Sequence, residues 1–268
     1  MLQSFVLSLF TDQRGPDDID AAPADTTGLL ITLHSYSELV LWPWGWTDGD
    51  APNHTQLQTL GRRMAYFTDY TPQQANELYL TTGTTDDWAY GELGIAAYTY
   101  EMGTVFFQDC ASFESTIYPD NLQALLYAFK TARLPYMDPA GPRVVDLQIT
   151  QSLVDPGTPV TLNAVADDDL YSVNNGRETT QAIFSARYSI DLPSWLPGAI
   201  TYPLEATDGN FNAGQEDIRV VIDTSNLTAG KHIIFVEAMD DADNWGVPTA
   251  IFLNITGLTT TFLPLLIR

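Results

Sequence analysis

The sequence predicts an α/β region followed by an all-β sandwich, and three observations carry that prediction. Up to about residue 138, apolar runs of strand length alternate with stretches whose apolar residues recur at spacings of three and four. From "DPAGPRVVDLQIT" onward the texture changes to short β-rich runs separated by Gly, Pro, Asn and Asp. The hydrophobic fraction of 45%, with 12% aromatic residues, is enough for real cores in a chain of 268 residues.

In the first region the strand candidates are 28–34, 77–81 and 94–101. The first, in "GLLITLHSYSEL", is expected to be short and mostly buried, with His34 emerging where the strand leaves the sheet. Strand ends of this kind commonly hold ligands and catalytic groups. Between the strands, Leu57, Leu60, Met64 and Phe67 form one apolar stripe along a helix. A second helix is expected in "YPDNLQALLYAFKTARLPY", burying Leu122, Leu125, Leu126 and Phe129, opened near Pro119 and Asp120 and closed by Pro135. Glu101 stands on a run that is otherwise apolar and aromatic, where a carboxylate is costly and desolvation would raise its pKa towards that of a general base.

The second region contains "TPVTLNAVA", "AIFSARYSI", "DIRVVIDTS" and "KHIIFVEAM" at fairly even spacing, the pattern of an antiparallel sandwich of about a hundred residues. The run "DTSNLTAGKHIIFVEAMDDADNWG" resembles the last strands of immunoglobulin-like modules, and that resemblance covers roughly residues 142–256. The implied organisation is a first domain over 1–138, an immunoglobulin-like sandwich over 139–257 entered through a linker at Pro139 to Pro142, and a Thr-rich spacer with a short apolar tail over 258–268. The acidic turns at 167–169 and at Asp240, Asp241 and Asp243 complete no calcium loop and are expected to be solvated.

Thirty-four acidic residues against eleven basic ones give a net charge of −23, which repels phosphate backbones and makes nucleic acid an unsuitable partner. The same acidity suits a secreted or cell-surface setting, and no apolar run approaches the length of a membrane span. The single cysteine, Cys110, cannot form an internal disulfide and is expected to be a small buried hydrophobe. The amino end, "MLQSFVLSLFTDQRG", lacks the basic start and small-residue cleavage site of a signal peptide.

Several motifs together resemble the zinc carboxypeptidase family, the carboxypeptidase A and B fold and in particular its bacterial carboxypeptidase T-like branch. They are "HSYSELVLWPWGW" from His34, a tyrosine at 79, "DWAYG" from Asp87 and "TYEMG" from Thr99, in this order and spacing. The resemblance covers about residues 1–135. It implies a partial mixed-sheet zinc carboxypeptidase domain in which His34 is a zinc ligand and Glu101 the catalytic base. Tyr79 would be a mobile tyrosine closing over the bound C-terminal residue, Tyr36 would line the substrate groove, and "DWAYG" would belong to a Gly-rich loop. Asp86 would lie at the base of the specificity pocket and favour a C-terminal Lys or Arg. The implied cofactor is Zn2+, which would polarise the scissile carbonyl and acidify a bound water. The implied partners are the C-termini of peptides or proteins.

The family's remaining zinc ligands come from a His-x-x-Glu motif, and this sequence has none: His34 is followed at the third position by Ser37, His54 by Leu57 and His232 by Phe235. Arg14, Arg62 and Arg63 have no context resembling the family's substrate-carboxylate clamp. One imidazole cannot hold zinc against water. The expectation is therefore a carboxyl-terminal portion of a longer enzyme, not competent by itself, with an unpaired sheet edge and an uncovered apolar face. The alternative is a non-catalytic peptide- or surface-binding protein.

Overall fold

The computed structural model describes residues 2–257. The expected tail over 258–268 therefore lies outside the described residues. Helix α1 (Leu2–Leu9) is followed by a four-stranded sheet of β1 (Leu29–His34), β2 (Leu39–Trp42), β3 (Thr71–Gln74) and β4 (Ala96–Glu101), in the order β1-β4-β2-β3. β1 runs parallel to β4, β4 antiparallel to β2, and β2 parallel to β3.

Helix α2 (His54–Ala65) covers one face of this sheet. Leu57, Leu60 and Met64 are fully buried, as their spacing predicts, while Phe67 lies beyond the helix end and is half-buried. The helix can approach β2 because position 61 is glycine: a Cβ there would come 2.8 Å from a ring carbon of Trp42. The period of two along β4 then sorts the side chains. Tyr98 reaches the α2 side, where its hydroxyl donates to the Leu57 carbonyl at 2.8 Å, and Thr99 and Glu101 point at the other side.

Four local expectations change. The strand expected at 77–81 lies instead at Thr71–Gln74. A single 3-10 turn, Ala75–Glu77, interrupts the chain there, its Glu77 side chain accepting from the Gln74 N–H, and Leu78, Tyr79 and Leu80 are exposed. The "DWAYG" stretch expected in a loop is helix α3 (Thr85–Leu93), capped by the Thr84 hydroxyl, carrying Asp86 and Asp87 in its first turn and ended by the left-handed Gly94. The last helical stretch runs from α4 (Cys110–Ser112) through a π-helical segment, Phe113–Ile117, into α5 (Tyr118–Thr131). Its buried positions are Asn121, Ala124, Tyr127, Ala128 and Thr131, so the face is rotated from the predicted one: Leu122 and Leu125 are half-buried, and Leu126 and Phe129 are 45% and 75% exposed. The small Ala124 and Ala128 let α5 lie close against its neighbours with only Tyr127 filling the gap. Cys110, expected to be buried, is exposed at the start of α4.

β1 is the sheet edge and is half-buried rather than buried, with Leu33 49% exposed. Exposed Phe106, Phe107, Phe113, Tyr118 and Phe129 add to the apolar surface of this first region.

The second region is an eight-stranded, curled sheet of β5 (Arg143–Ile149), β6 (Leu153–Val154), β7 (Val160–Asp167), β8 (Ile183–Ile190), β9 (Thr201–Ala206), β10 (Gln215–Ile222), β11 (Gly230–Asp240) and β12 (Thr249–Ile255). Its order is β5-β7-β10-β9-β8-β11-β12-β6, and every pair is antiparallel except β12 with β6. Curling brings its two ends over one core, to which alternate residues such as Val160, Leu162, Ala164 and Ala166 of β7 and Ile234, Val236 and Ala238 of β11 contribute.

The stretch expected to be a linker is a packed corner. Asp138 and Pro139 are buried in a 3-10 turn (Asp138–Ala140), and the backbones at Gly141 and Gly246 lie so close that a Cβ on either would strike the other segment. Val247 joins the core of the first region. The acidic turns are not uniformly solvated either. Asp169, Asp241 and Asp243 are exposed, but Asp167, Asp168 and Asp240 are buried. Asp240 accepts from the Ala242 and Asn244 N–H groups at 2.9 and 2.8 Å, and Asp168 accepts from Arg63 at 2.7 Å. These carboxylates are internal acceptors for turn backbone and for one buried guanidinium.

Candidate functional site

The parallel pairing of β1 with β4 puts His34 directly opposite Glu101 at the ends of both strands. Their side chains meet there, with His34 Nδ1 3.8 Å from Glu101 Oε1. Both line a cleft of about 240 Å³ whose wall also includes Leu41, Ala75, Tyr79, Asp86 and Thr99. The structure thus brings together four of the five residues singled out in the sequence: His34, Tyr79, Asp86 and Glu101. The fifth, Tyr36, is exposed beside the cleft and is not part of its lining.

Burial differs sharply among these groups. His34 is open to solvent, Tyr79 more so, and the Glu101 carboxylate is largely covered. Burial pushes the Glu101 carboxyl above its ordinary range, and the His34 imidazole draws it part of the way back. A carboxylate so placed holds a proton closer to neutral pH than a surface glutamate does.

Asp86 is the most deeply buried member of the cleft, at 2% exposed. Its Oδ2 accepts from the Thr99 hydroxyl at 3.2 Å and its Oδ1 from the Asp87 N–H at 3.0 Å. Behind Thr99 the hydroxyls of Thr32 and Thr85 continue the chain, at 3.0 and 3.4 Å. No Lys, Arg or His pairs with Asp86 among the described residues. The sequence reading missed this threonine network. The signal available for it was the spacing of two between Thr99 and Glu101 on one strand, which puts both on the same face.

Asp87, next to Asp86 on α3, points the other way and holds the loop after β2: both of its oxygens accept from the Gly45 N–H, at 2.9 and 3.1 Å. Burial pushes its carboxyl up to about 6, with the adjacent Asp86 charge adding to the rise and the Gly45 bond opposing it. Asp87 is a fastener for the cleft wall.

Residues 18–123 match the zinc carboxypeptidase family. All five residues singled out in the sequence fall inside that segment. The chain is 45% identical over 78 residues to a zinc carboxypeptidase of Saccharothrix mutabilis subsp. capreolus, a span of 27% of this chain and 18% of that protein. It is 41% identical over 82 residues to a zinc carboxypeptidase of Simulium vittatum, 28% of this chain and 27% of that one. To carboxypeptidase B of Astacus astacus it is 40% identical over 83 residues, again 28% and 27%. The chain therefore spans about a fifth to a quarter of the length of these zinc carboxypeptidases. Among solved structures, the PKD domain of an M14-like peptidase from Thermoplasmatales archaeon SCGC AB-540-F20 aligns at 12% identity and a TM-score of 0.29 over 44% of this chain and 97% of that one.

The zinc that family relatives are named for needs three or four protein ligands. Here His34 contributes one imidazole, Glu101 lies beside it, and among the described residues no group of three or more His, Cys, Asp or Glu side chains is assembled to hold an ion. The residues present do not by themselves fit a zinc site. What the zinc carboxypeptidase-like segment does present is a cleft with a buried carboxylate at its floor, a second carboxylate of raised pKa at its mouth, and an exposed tyrosine on its rim. Among the described residues, no helix is long and apolar enough to cross a membrane.

Proposed function

We propose that the cleft is the substrate-residue side of a zinc metallocarboxypeptidase site, and that it takes the C-terminal residue of a peptide or protein, with a preference for Lys or Arg. The observation that carries this reading is Asp86: a carboxylate 2% exposed, held by only a hydroxyl and one backbone N–H, and facing a cleft that an extended cationic side chain can enter. A buried carboxylate without a cation is an incomplete pair, and a ligand ammonium or guanidinium completes it. Glu101, with its raised pKa, is the group that would take up and return a proton at the scissile bond if the missing metal ligands were supplied. Tyr79, on the rim, closes over the bound residue and donates its hydroxyl.

On this reading the chain as given binds without turnover, because His34 alone cannot retain zinc. That same shortage of ligands favours the second reading, a non-catalytic binder of peptide ends. The implied setting is secreted or cell-surface, the proposed division is a catalytic part over 1–138 and a sandwich over 139–257, and the finer likenesses to the carboxypeptidase T branch and to immunoglobulin-like modules belong to the same proposal.

The test is calorimetry with Nα-acetyl-glycyl-lysine and Nα-acetyl-glycyl-glutamate. The lysine ligand should bind at least about tenfold more tightly, and Asp86→Asn should abolish the difference, since one desolvated charge pair is worth more than about 1.4 kcal/mol. Equal affinity for the two ligands, or an Asp86→Asn variant that keeps the preference, would sink the assignment. Metal analysis of the purified chain should return much less than one zinc per chain.

A further inference from the structure

A loop of the second region bonds to the segment that leads into the cleft. Residues 168–178, between β7 and β8, lie across the end of α2 and the exposed edge of β3. Arg63, 2% exposed, donates from Nη2 to Asp168 Oδ1 at 2.7 Å and from Nη1 to the Asp168 carbonyl at 2.9 Å. Arg62 donates to the Asn175 carbonyl at 2.8 Å, and the Ser172 N–H donates back to the Arg62 carbonyl at 2.9 Å. This anchors the loop. Its tip then supplies side-chain donors before, on and after β3: Asn174 Nδ2 to the Asp69 carbonyl at 2.8 Å, and Asn175 Nδ2 to the Pro72 carbonyl at 3.3 Å and to Glu77 Oε2 at 3.1 Å. Gly176 has φ +113°, and a Cβ there would sit 2.8 Å from Arg62 Nη2, so the tip is shaped to fit over the guanidinium.

Glu77 closes the 3-10 turn Ala75–Glu77, and the next residues, Leu78 and Tyr79, line the cleft. On its other side the same segment is tied to the loop after β2, through Asn76 Nδ2 to the Thr47 carbonyl at 2.8 Å and Gln74 Nε2 to the Trp44 carbonyl at 3.1 Å. The segment that presents Tyr79 is therefore gripped between two loops, one from each region of the chain.

We infer that the 168–178 loop is a positioning strap for the cleft: Asn174, through Asp69, and Asn175, through Pro72 and Glu77, hold the 69–77 segment in register and so fix where Tyr79 can stand. The second region is then part of the binding apparatus and not a separable appendage. The effect on ligand rests on the cleft being the peptide-end site proposed above, whereas the strap itself does not.

Hydrogen–deuterium exchange on the full chain separates the two. In the Asn174→Ala/Asn175→Ala variant, amides over 71–81 should exchange at least about tenfold faster while β4 and the core strands of the second region keep their protection. Unchanged exchange over 71–81 overturns the strap, and so does equal acceleration of both sheets, which marks general loss of stability. Asn175→Asp should loosen the segment by placing two carboxylates together, and Asn175→Asp/Glu77→Gln, which reverses donor and acceptor, should restore most of the protection. A purely space-filling role predicts no such rescue. Nα-acetyl-glycyl-lysine should bind more weakly to the double alanine variant and regain affinity with the reversed pair. If the unaltered chain does not bind that ligand, the reading of the cleft fails while the exchange data still decide the strap.

Discussion

Nδ1 of His34 stands 3.8 Å from Oε1 of Glu101 because β1 and β4 run parallel in a register that pairs these two residues at their ends. At this distance they form no close hydrogen bond, and the imidazole acts on Glu101 through its charge. Glu101 is raised by burial and lowered by His34. His34→Ala should therefore move the Glu101 carboxyl still higher, which carbonyl-13C NMR titration of labelled glutamate can follow. A fall on removing the imidazole would mean that His34 acts on Glu101 chiefly by covering it and not by its charge.

The pH dependence of stability should carry the mark of Asp87. Its folded-state pKa of about 6 lies above the ordinary value of 3.8, so between these values the folded chain binds more protons than the unfolded one. Its contribution is therefore most favourable at low pH and declines as pH rises through the window from about 4 to 6. Asp87→Asn keeps an oxygen for the Gly45 N–H and removes the buried charge. The melting temperature of this variant, relative to the unaltered chain, should gain between about pH 4 and pH 6 and level off above that, as thermal scans at several pH values would show. A constant difference across that range would contradict the raised pKa.

Much of this arrangement is legible in the sequence where local pattern and tertiary packing agree. Leu57, Leu60 and Met64 read as one stripe and are one stripe, and the strands ending in His34 and Glu101 lie within two residues of their expected bounds. The cleft was legible as a set of residues only through what the family resemblance implies. Its geometry was not, because Asp86 on α3 is held by the Thr99 hydroxyl on β4, a contact that no local pattern encodes. The 77–81 run failed for a related reason: "LYL" has strand composition, but the turn at Ala75–Glu77 takes up the backbone and turns those residues outward. Arg62 and Arg63 carried no signal at all, since their partners are more than a hundred residues away.

Helix α5 gives a direct test of pattern against packing. The periodic leucines predict a core face that includes Leu126 and Phe129, yet these are exposed while Tyr127 is buried. Leu126→Gln and Phe129→Gln should each change unfolding free energy by less than about 0.5 kcal/mol. Tyr127→Ala should cost about 3 kcal/mol or more. Urea denaturation would discriminate, and a large loss on substituting Phe129 would mean that its face is covered in solution, for instance by self-association.

The buried pair of Arg63 and Asp168 sets how tightly the two regions are coupled. Each is about 3% exposed at the side chain, and burial raises the Asp168 carboxyl against the pull of Arg63. Removing only the cation leaves an uncompensated carboxylate inside, so Arg63→Ala should cost about 3–5 kcal/mol. Because Asp168 also accepts from the Gln181 N–H at 2.7 Å at the entry to β8, the loss should spread into the second sheet. Calorimetry should show one transition for the unaltered chain and a lowered transition in Arg63→Ala. The paired change Arg63→Met/Asp168→Leu, which removes both charges at once, should recover most of the lost stability. If the double variant is as unstable as the single one, the stabilisation comes from the guanidinium's bonds to the Asp168 and Pro139 carbonyls and not from the charge pair.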